Sequence, residues 1–329
     1  MKIQIIKNGK KFIYFSLFTV LLSLASIFYF GFNLGIDFKG GTVYEIKYNN
    51  NIPKTEDIRK AVYSVGFQQF NVQKLGEDSF AIRLPELSDE TKIRLNEALT
   101  FNDTKKFNQL SDQTISSTVS SEFLNKSIFA IILVSLAIVL FITYAFAGVS
   151  YPVSSFKYGL IAIVALLHDI IIPTGFFAYM GAHDFRFEIN VLFVTALLAI
   201  LGYSVNDTIV VFDRIRENLK KVKNPEKIKD KEFEEIVEKS LHQTFRRSLF
   251  TSLTTLIVLL SLYFFGGEST REFSLVLIIG VIAGTYSSIF LASPLLVMVE
   301  KKWKTKPENI RKKMSEMTDE EQIKELTSL

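Results

Sequence analysis

The stretch KKFIYFSLFTVLLSLASIFYFGFNLGIDFKGGT, Lys10–Thr42, decides what kind of protein this is. Four lysines (Lys2, Lys7, Lys10 and Lys11) precede an apolar run, the arrangement of a secretory signal. The run from Phe12 to Phe32 is roughly twenty residues, however, against the 7–15 of a signal core, and it continues past Ala25 without a cleavage pattern. It reads as an uncleaved first membrane span. Directly beyond it stands GIDFKGGT, Gly35–Thr42, with an acid, a base and two adjacent glycines. A Gly pair accepts positive φ at no steric cost, so Gly40 and Gly41 predict a tight turn.

The rest of the chain agrees with a membrane protein. It has 329 residues, 48% hydrophobic, and a mean hydropathy of +0.25, values above those of soluble domains. The absence of Cys excludes disulfides and thiolate metal sites. A net charge of +4 could serve nucleic acid, but the bases gather between and after the apolar runs, as in cytoplasmic loops. No GxxxxGK[ST], HExxH or GxSxG is present. ATP hydrolysis, a cofactor and a metal site are therefore not expected.

Six segments are long and apolar enough to span a bilayer: Phe12–Phe32, Ile128–Ala147, Phe156–Met180, Asn190–Phe212, Ser248–Phe265 and Phe273–Val299. The segment Arg214–Arg247 holds Arg214, Arg216, Lys220, Lys221, Lys223, Lys227, Lys229, Lys231 and Lys239; the tail opens with Lys301, Lys302, Lys304 and Lys306. By the positive-inside rule both termini lie in the cytoplasm and residues 33–125 lie outside. The expected organisation is residues 1–32 for the N-terminus and first span, 33–125 for an exterior domain, and 126–213 for spans two to four. A basic loop, 214–247, then leads to the last two spans, 248–299, and a basic tail, 300–329.

Within the exterior segment, TVYEIKY alternates like a strand and PKTEDIRKAVYSVGF has helical spacing with Pro53 near its start. Strands FNVQK and FAIRL follow, then a helix over Ser88–Phe107, and TISSTVS closes the set as a strand. The order β-α-β-β-α-β predicts a ferredoxin-like α+β domain between the first two spans of a polytopic helical protein.

Acids inside spans carry the chemical information, because an Asp at mid-membrane costs roughly 2.5–3.5 kcal/mol on insertion scales. Asp169, in ALLHDIIIP, lies about 18 Å into its span. It is either a titrating group or a protonated acid bonded to another helix. His168 is expected to point elsewhere, since helical neighbours do not share a face. Asp207, in GYSVNDTIVVFDRIREN, sits roughly 9 Å before Asp213 at the inner boundary. Tyr203 and Ser204 share its polar face. Gly202, Ser204 and Thr208 permit close helix approach, and Asn206 offers polar contacts. In QTFRRSLFTSLTT, Arg247 opens the next span with Thr251 and Thr254 or Thr255 on its face, beside a stripe of Ser248, Ser252 and Thr255. A pair of Asp207 with Arg247 is reasonable by depth, although Arg246 and Arg247 also satisfy the positive-inside rule alone. An adjacent Arg lowers a carboxyl's pKa while burial raises it, an opposition useful to a proton relay. In the last span Gly280 and Gly284, with Ser287, Ser288, Ser293 and Pro294 beyond, read as a packing face. EEIVEKSLHQTF in the basic loop reads as an amphipathic helix.

In order along the chain, GIDFKGGT, ALLHD, GYSVNDTIVVFDRIREN and QTFRRSLFTSLTT resemble the SecF family. These are membrane subunits of the bacterial Sec protein-export machinery, homologous to SecD and related to the resistance-nodulation-division transporters. The likeness covers the chain from first span to last. It implies a multi-pass protein of the inner membrane, in complex with SecD and working with SecYEG, SecA, YajC and YidC on a translocating unfolded chain. It also implies use of the proton motive force after the ATP-driven step. Asp207 then matches the family's membrane carboxylate, Arg247 its basic partner, and Asp169 its His-Asp dipeptide. Asp37, Gly40 and Gly41 mark the structural junction into the first strand.

Three other classes compete. A structural subunit would use its charges only to hold helices together. An intramembrane aspartyl protease needs Tyr-Asp and Gly-x-Gly-Asp, whereas this chain has His168-Asp169 and Asn206-Asp207; a dyad also needs carboxylates in close approach. A small-molecule efflux half fits poorly with an exterior segment of about ninety residues, one modest domain. The leading expectation is a proton-coupled export subunit without covalent catalysis.

Overall fold

The computed structural model describes residues 4–301 apart from 69, 102–103, 147–152, 185–186 and 223–227. Lys223 and Lys227 of the basic loop, and Lys302, Lys304 and Lys306 of the tail, lie outside the described residues.

Among the described residues, six helices are long and apolar enough to cross a membrane: α1 (Gly9–Phe30), α5 (Ser117–Ala145), α6 (Ser155–His183), α7 (Val191–Lys220), α8 (Asp230–Phe265) and α9 (Glu268–Tyr286). The helix begun by α9 continues through a π-helical turn, Ser287–Ala292, and resumes to Lys301. The protein is thus a polytopic helical membrane protein. Between α1 and α5 lie α2 (Ile36–Lys39), β1 (Gly41–Tyr48), α3 (Thr55–Ser64), β2 (Asn71–Leu75), β3 (Ser79–Leu84), α4 (Asp89–Leu99) and β4 (Phe107–Ile115).

The sheet is antiparallel in the order β2-β3-β1-β4, the split βαβ topology of a ferredoxin-like domain. Side chains alternate across a strand, so Tyr44, Ile46 and Tyr48 of β1 and Phe80, Ile82 and Leu84 of β3 all face one core. Ile58 and Val62 of α3 and Leu95 and Leu99 of α4 cover it. The Tyr48 hydroxyl donates to the Leu99 carbonyl at 2.9 Å inside that core. Gly40 and Gly41 have φ of 76° and 119°, and β1 starts at Gly41. A Cβ there would lie 2.5 Å from the Leu84 carbonyl oxygen, so the glycine is needed for conformation and for space.

Two expected boundaries move. The α4 helix ends at Leu99 rather than Phe107: Thr100 caps it and Phe101 has φ 51°, which reverses the chain. The fourth strand is FNQLSDQTI, not TISSTVS. It pairs along β1 from Gly41↔Ile115 to Tyr48↔Phe107, an edge strand largely open on both faces that shows little hydrophobic alternation. The Ser-rich segment after it starts α5, where Ser120 and Ser121 donate back to the Ser117 carbonyl at 3.0 and 2.8 Å, so these hydroxyls are satisfied within the helix.

The basic segment 214–247 is mostly helix. The α7 helix runs on to Lys220, and the amphipathic stretch EEIVEKSLHQTF belongs to the 36-residue α8. Phe233, Val237 and Leu241 recur every four residues and are buried, the spacing of one helix face. Glu238 accepts the N–H groups of Ile5 and Ile6 at 2.9 and 2.7 Å.

The chain forms two compact units, one of Met1–Ala25, Leu133–Gly175 and Leu197–Leu329, the other of Ser26–Ile132 and Phe176–Ala196. The first holds the membrane acids. In the second, the GIDF turn meets the segment leading into α7. Leu34 bridges Ile189, and the Asp37 carboxylate accepts the Val191 N–H at 2.9 Å. Arg83 pairs with Glu188, and Gln73 donates to Asp184 at 2.9 Å.

Candidate functional site: two membrane carboxylates on a serine framework

Four helical segments of the first unit meet around two acids. Asp169 lies midway along α6 and is 0% exposed. Its Oδ1 faces His168 Nδ1 at 2.8 Å. Its Oδ2 accepts from Ser204 of α7, and from Ser287 at 2.8 Å. Gly284 permits the approach, since a Cβ there would sit 3.0 Å from Ser204 Cβ and 3.5 Å from Asp169 Oδ2.

Asp207 lies just past the middle of α7 and is half-buried. Its two oxygens accept from Ser248 of α8 and Ser288 of the π turn. Behind it, Tyr203 donates to Ser252 at 3.2 Å, and Ser252 shares a hydrogen with Thr285 at 2.5 Å. All these side chains lie on membrane-spanning helices, where a carboxylate without donors would be costly. The helices supply serine hydroxyls, and for Asp169 Oδ1 the His168 imidazole, so each carboxylate oxygen has a partner.

The consecutive residues Ser287 and Ser288 serve different acids. In an α-helix, neighbours diverge by about 100°. The π turn begins here, and such single widened turns cluster at functional sites. The expected packing face is real at Gly280 and Gly284, which meet Ile200 and Ser204, but Ser287 and Ser288 beyond it belong to the site.

Several sequence expectations shift by one residue. Arg247 is exposed and forms no ion pair with Asp207 among the described residues; its neighbour Ser248 points there instead. Thr251 and Thr254 are exposed and donate to their own helix carbonyls, those of Arg247 and Phe250, at 2.9 and 3.0 Å. The adjacent stripe of Ser248 and Ser252 is the inward one. Ser204 serves Asp169 rather than Asp207. Asn206 is exposed and Thr208 buried. His168 does not point away from Asp169: its ring bends back to the carboxylate while stacking on Tyr286, with centroids 6.2 Å apart and planes 20° apart. An imidazole is long enough to bridge the angle between successive positions. No group of three or more His, Asp or Glu among the described residues could hold a metal ion.

Known proteins share the sequence and architecture of this chain. Residues 95–302 match the family model described as protein export membrane protein SecD/SecF, C-terminal. Residues 25–52, which include Asp37, Gly40 and Gly41, match the SecD/SecF GG motif. The protein translocase subunit SecF of Thermobaculum terrenum is 42% identical over 313 residues, 91% of this chain and 95% of that protein. The SecF subunit of Sebaldella termitidis is 34% identical, covering 92% and 93% respectively. The crystal structure of SecDF from Thermus thermophilus, a translocon-associated membrane protein, superposes with a TM-score of 0.78 at 31% identity. That match covers 92% of this chain and 39% of the SecDF chain, so this chain spans about two-fifths of the fused protein. With the family model covering more than half of its length and close relatives matched nearly end to end, the chain belongs to the SecF family of protein translocase subunits.

Proposed function

We propose that this chain is a proton-coupled subunit of Sec protein export. With SecD it draws on the proton motive force to complete translocation after the SecA step, alongside SecYEG, YajC and YidC. It works in the bacterial inner membrane with both termini in the cytoplasm. The bases ending α7 and opening α8 (Arg214, Arg216, Lys220, Lys221, Lys229 and Lys231) support that orientation. The chain is a transport component, and no covalent step is asked of its residues.

The observation that carries the reading is Asp207: a half-buried carboxylate in a membrane span whose described partners are the hydroxyls of Ser248 and Ser288. Hydroxyls serve either charge state, since each can donate to a carboxylate or accept from a carboxylic acid. A fixed cationic partner would instead favour the ionised form alone. In this reading Arg247, adjacent to Ser248, is the cation that approaches when α8 turns, and Asp169 is the relay's fully enclosed acid. Asp207→Asn is expected to leave membrane insertion and SecD recovery at wild-type levels while abolishing proton-driven export in energised vesicles. Normal export by this variant would remove Asp207 from the mechanism.

A structural role has one observation in its favour: the serine bonds to the acids link α6, α7, α8 and the π turn. Such bonds average about 0.6 kcal/mol each in membrane proteins. On that reading Asp207→Asn lowers SecD recovery and export in parallel, so a pull-down beside the export assay separates the two.

A further inference from the structure

Each of the two consecutive serines has one hydroxyl hydrogen and two acceptors in reach. Ser287 can donate to Asp169 Oδ2 at 2.8 Å or to the Gly284 carbonyl at 3.1 Å. Ser288 can donate to Asp207 Oδ2 or to the Thr285 carbonyl at 3.1 Å. A hydroxyl holds a single donor and two lone pairs. Beside an ionised carboxylate it donates to the acid, the stronger acceptor. Beside a protonated one it can accept the acid's hydrogen and turn its own to the backbone carbonyl. The charge of each acid therefore sets one rotor, and the rotors are neighbours on one π turn.

We infer that Ser287 and Ser288 are positioning residues that couple Asp169 to Asp207, so that the proton affinity of either acid depends on the state of the other. This deepens the proton-coupled reading and takes its purpose from it, but the coupling itself exists without export. Asp169 is fully buried and Asp207 half-buried, and between such groups interactions are screened less than at a surface. Among the described residues, the other titratable groups near the pair are His168, against Asp169 Oδ1, Tyr286, stacked on His168, and Tyr203, bonded to Ser252. Arg246 and Arg247 on α8 are exposed. His168 contacts Asp169 through Nδ1, and its Nε2 is buried without a partner among the described residues.

The test reads Asp207 alone while changing only the distant end. The full-length chain in lipid vesicles is treated with dicyclohexylcarbodiimide, which modifies protonated carboxyls in apolar surroundings. Labelling of the Asp207 peptide is followed by mass spectrometry across pH. Asp169→Asn and Ser287→Ala, neither of which touches Asp207, are each expected to displace the labelling midpoint by about one pH unit, a tenfold change in proton affinity. Ser287→Thr, which keeps the hydroxyl, restores it. Ser293→Ala alters a buried hydroxyl in the same segment that donates only to the Ser288 carbonyl, and it should leave the midpoint in place. Wild-type midpoints in Asp169→Asn and Ser287→Ala overturn the coupling. So does an equal displacement by Ser293→Ala, which would mark a general packing effect, or an Asp207 that is unlabelled at every pH. Loss of proton-driven export plays no part in this readout, so coupling can stand where the export reading fails, and the reverse.

Discussion

Asp37 shows how far along the chain a residue's partner can lie. Its place in GIDFKGGT marks a junction, and the glycines beside it do turn the chain. Its carboxylate, however, caps α7 from 154 residues away by accepting the Val191 N–H. Asn190 caps the same helix locally, its side chain accepting the Phe193 N–H at 2.9 Å. A carboxylate at a helix N-terminus satisfies an orphan donor and complements the helix dipole. Asp37→Ala is therefore expected to destabilise the chain by about 1 kcal/mol. Asp37→Asn, which keeps the acceptor and loses the charge, should cost less. Thermal unfolding in detergent measures both, and equal stability of Asp37→Ala and wild type would show the cap to be idle. Nothing local could have revealed this contact, because a single sequence carries no signal pairing positions so far apart. The same limit explains Arg247. Depth along the helix was legible, but the rotation that presents Ser248 to Asp207 depends on packing.

Elements were legible where periodicity or glycine chemistry is strong. The six apolar runs and the split βαβ order could be read directly. The fourth strand slipped because an edge strand with both faces largely open leaves little alternation to read, and the π turn because a widened turn has no periodicity of its own. The helix contact through Gly280 and Gly284 was legible as a motif; a Cβ at Gly202, read as allowing close approach, would meet nothing within 4 Å among the described residues, and the contact at Gly175 carried no motif. A Cβ at Gly175 of α6 would meet Ser23 of α1 at 2.4 Å from Cβ, 2.5 Å from Cα and 2.7 Å from the carbonyl oxygen. At Gly280 it would meet Ile200, the nearest atom being Cδ1 at 2.1 Å. Backbone cannot step aside without moving the helix, whereas the end of an Ile can change rotamer. Overpacking of this kind costs typically about 1–3 kcal/mol. Gly175→Ala should fall at the upper end and Gly280→Ala at the lower, read as loss of folded protein on heating in detergent. The reverse order would mean that the α1–α6 approach yields more easily than the core around Ile200.

The molecule as a whole spreads its apolar character unevenly, and this bears on how the acids enter the membrane at all. The most apolar 18-residue stretch of α5 has a mean hydropathy of 2.8 and is 6% buried, against 1.7 and 50% for that of α7. The α5 helix can therefore leave water unaided. The α7 helix carries Asp207, Asn206 and Asp213, and among the described residues Asp207 finds its donors on α8 and the π turn, which follow it in the chain. Insertion of α7 is then favourable once later helices arrive, a dependence set by chain order. A host-protein insertion assay tests this segment by segment. The α5 sequence is expected to insert alone and the α7 sequence poorly. Asp207→Leu should improve isolated α7 by about 3 kcal/mol, the span between an acid and a leucine on translocon scales. In the full chain the same change gains much less, because Ser248 and Ser288 already offset the cost and would lose their acceptor. If isolated α7 inserts as readily as α5, the membrane does not penalise this acid, and the serine framework is not what makes Asp207 tolerable.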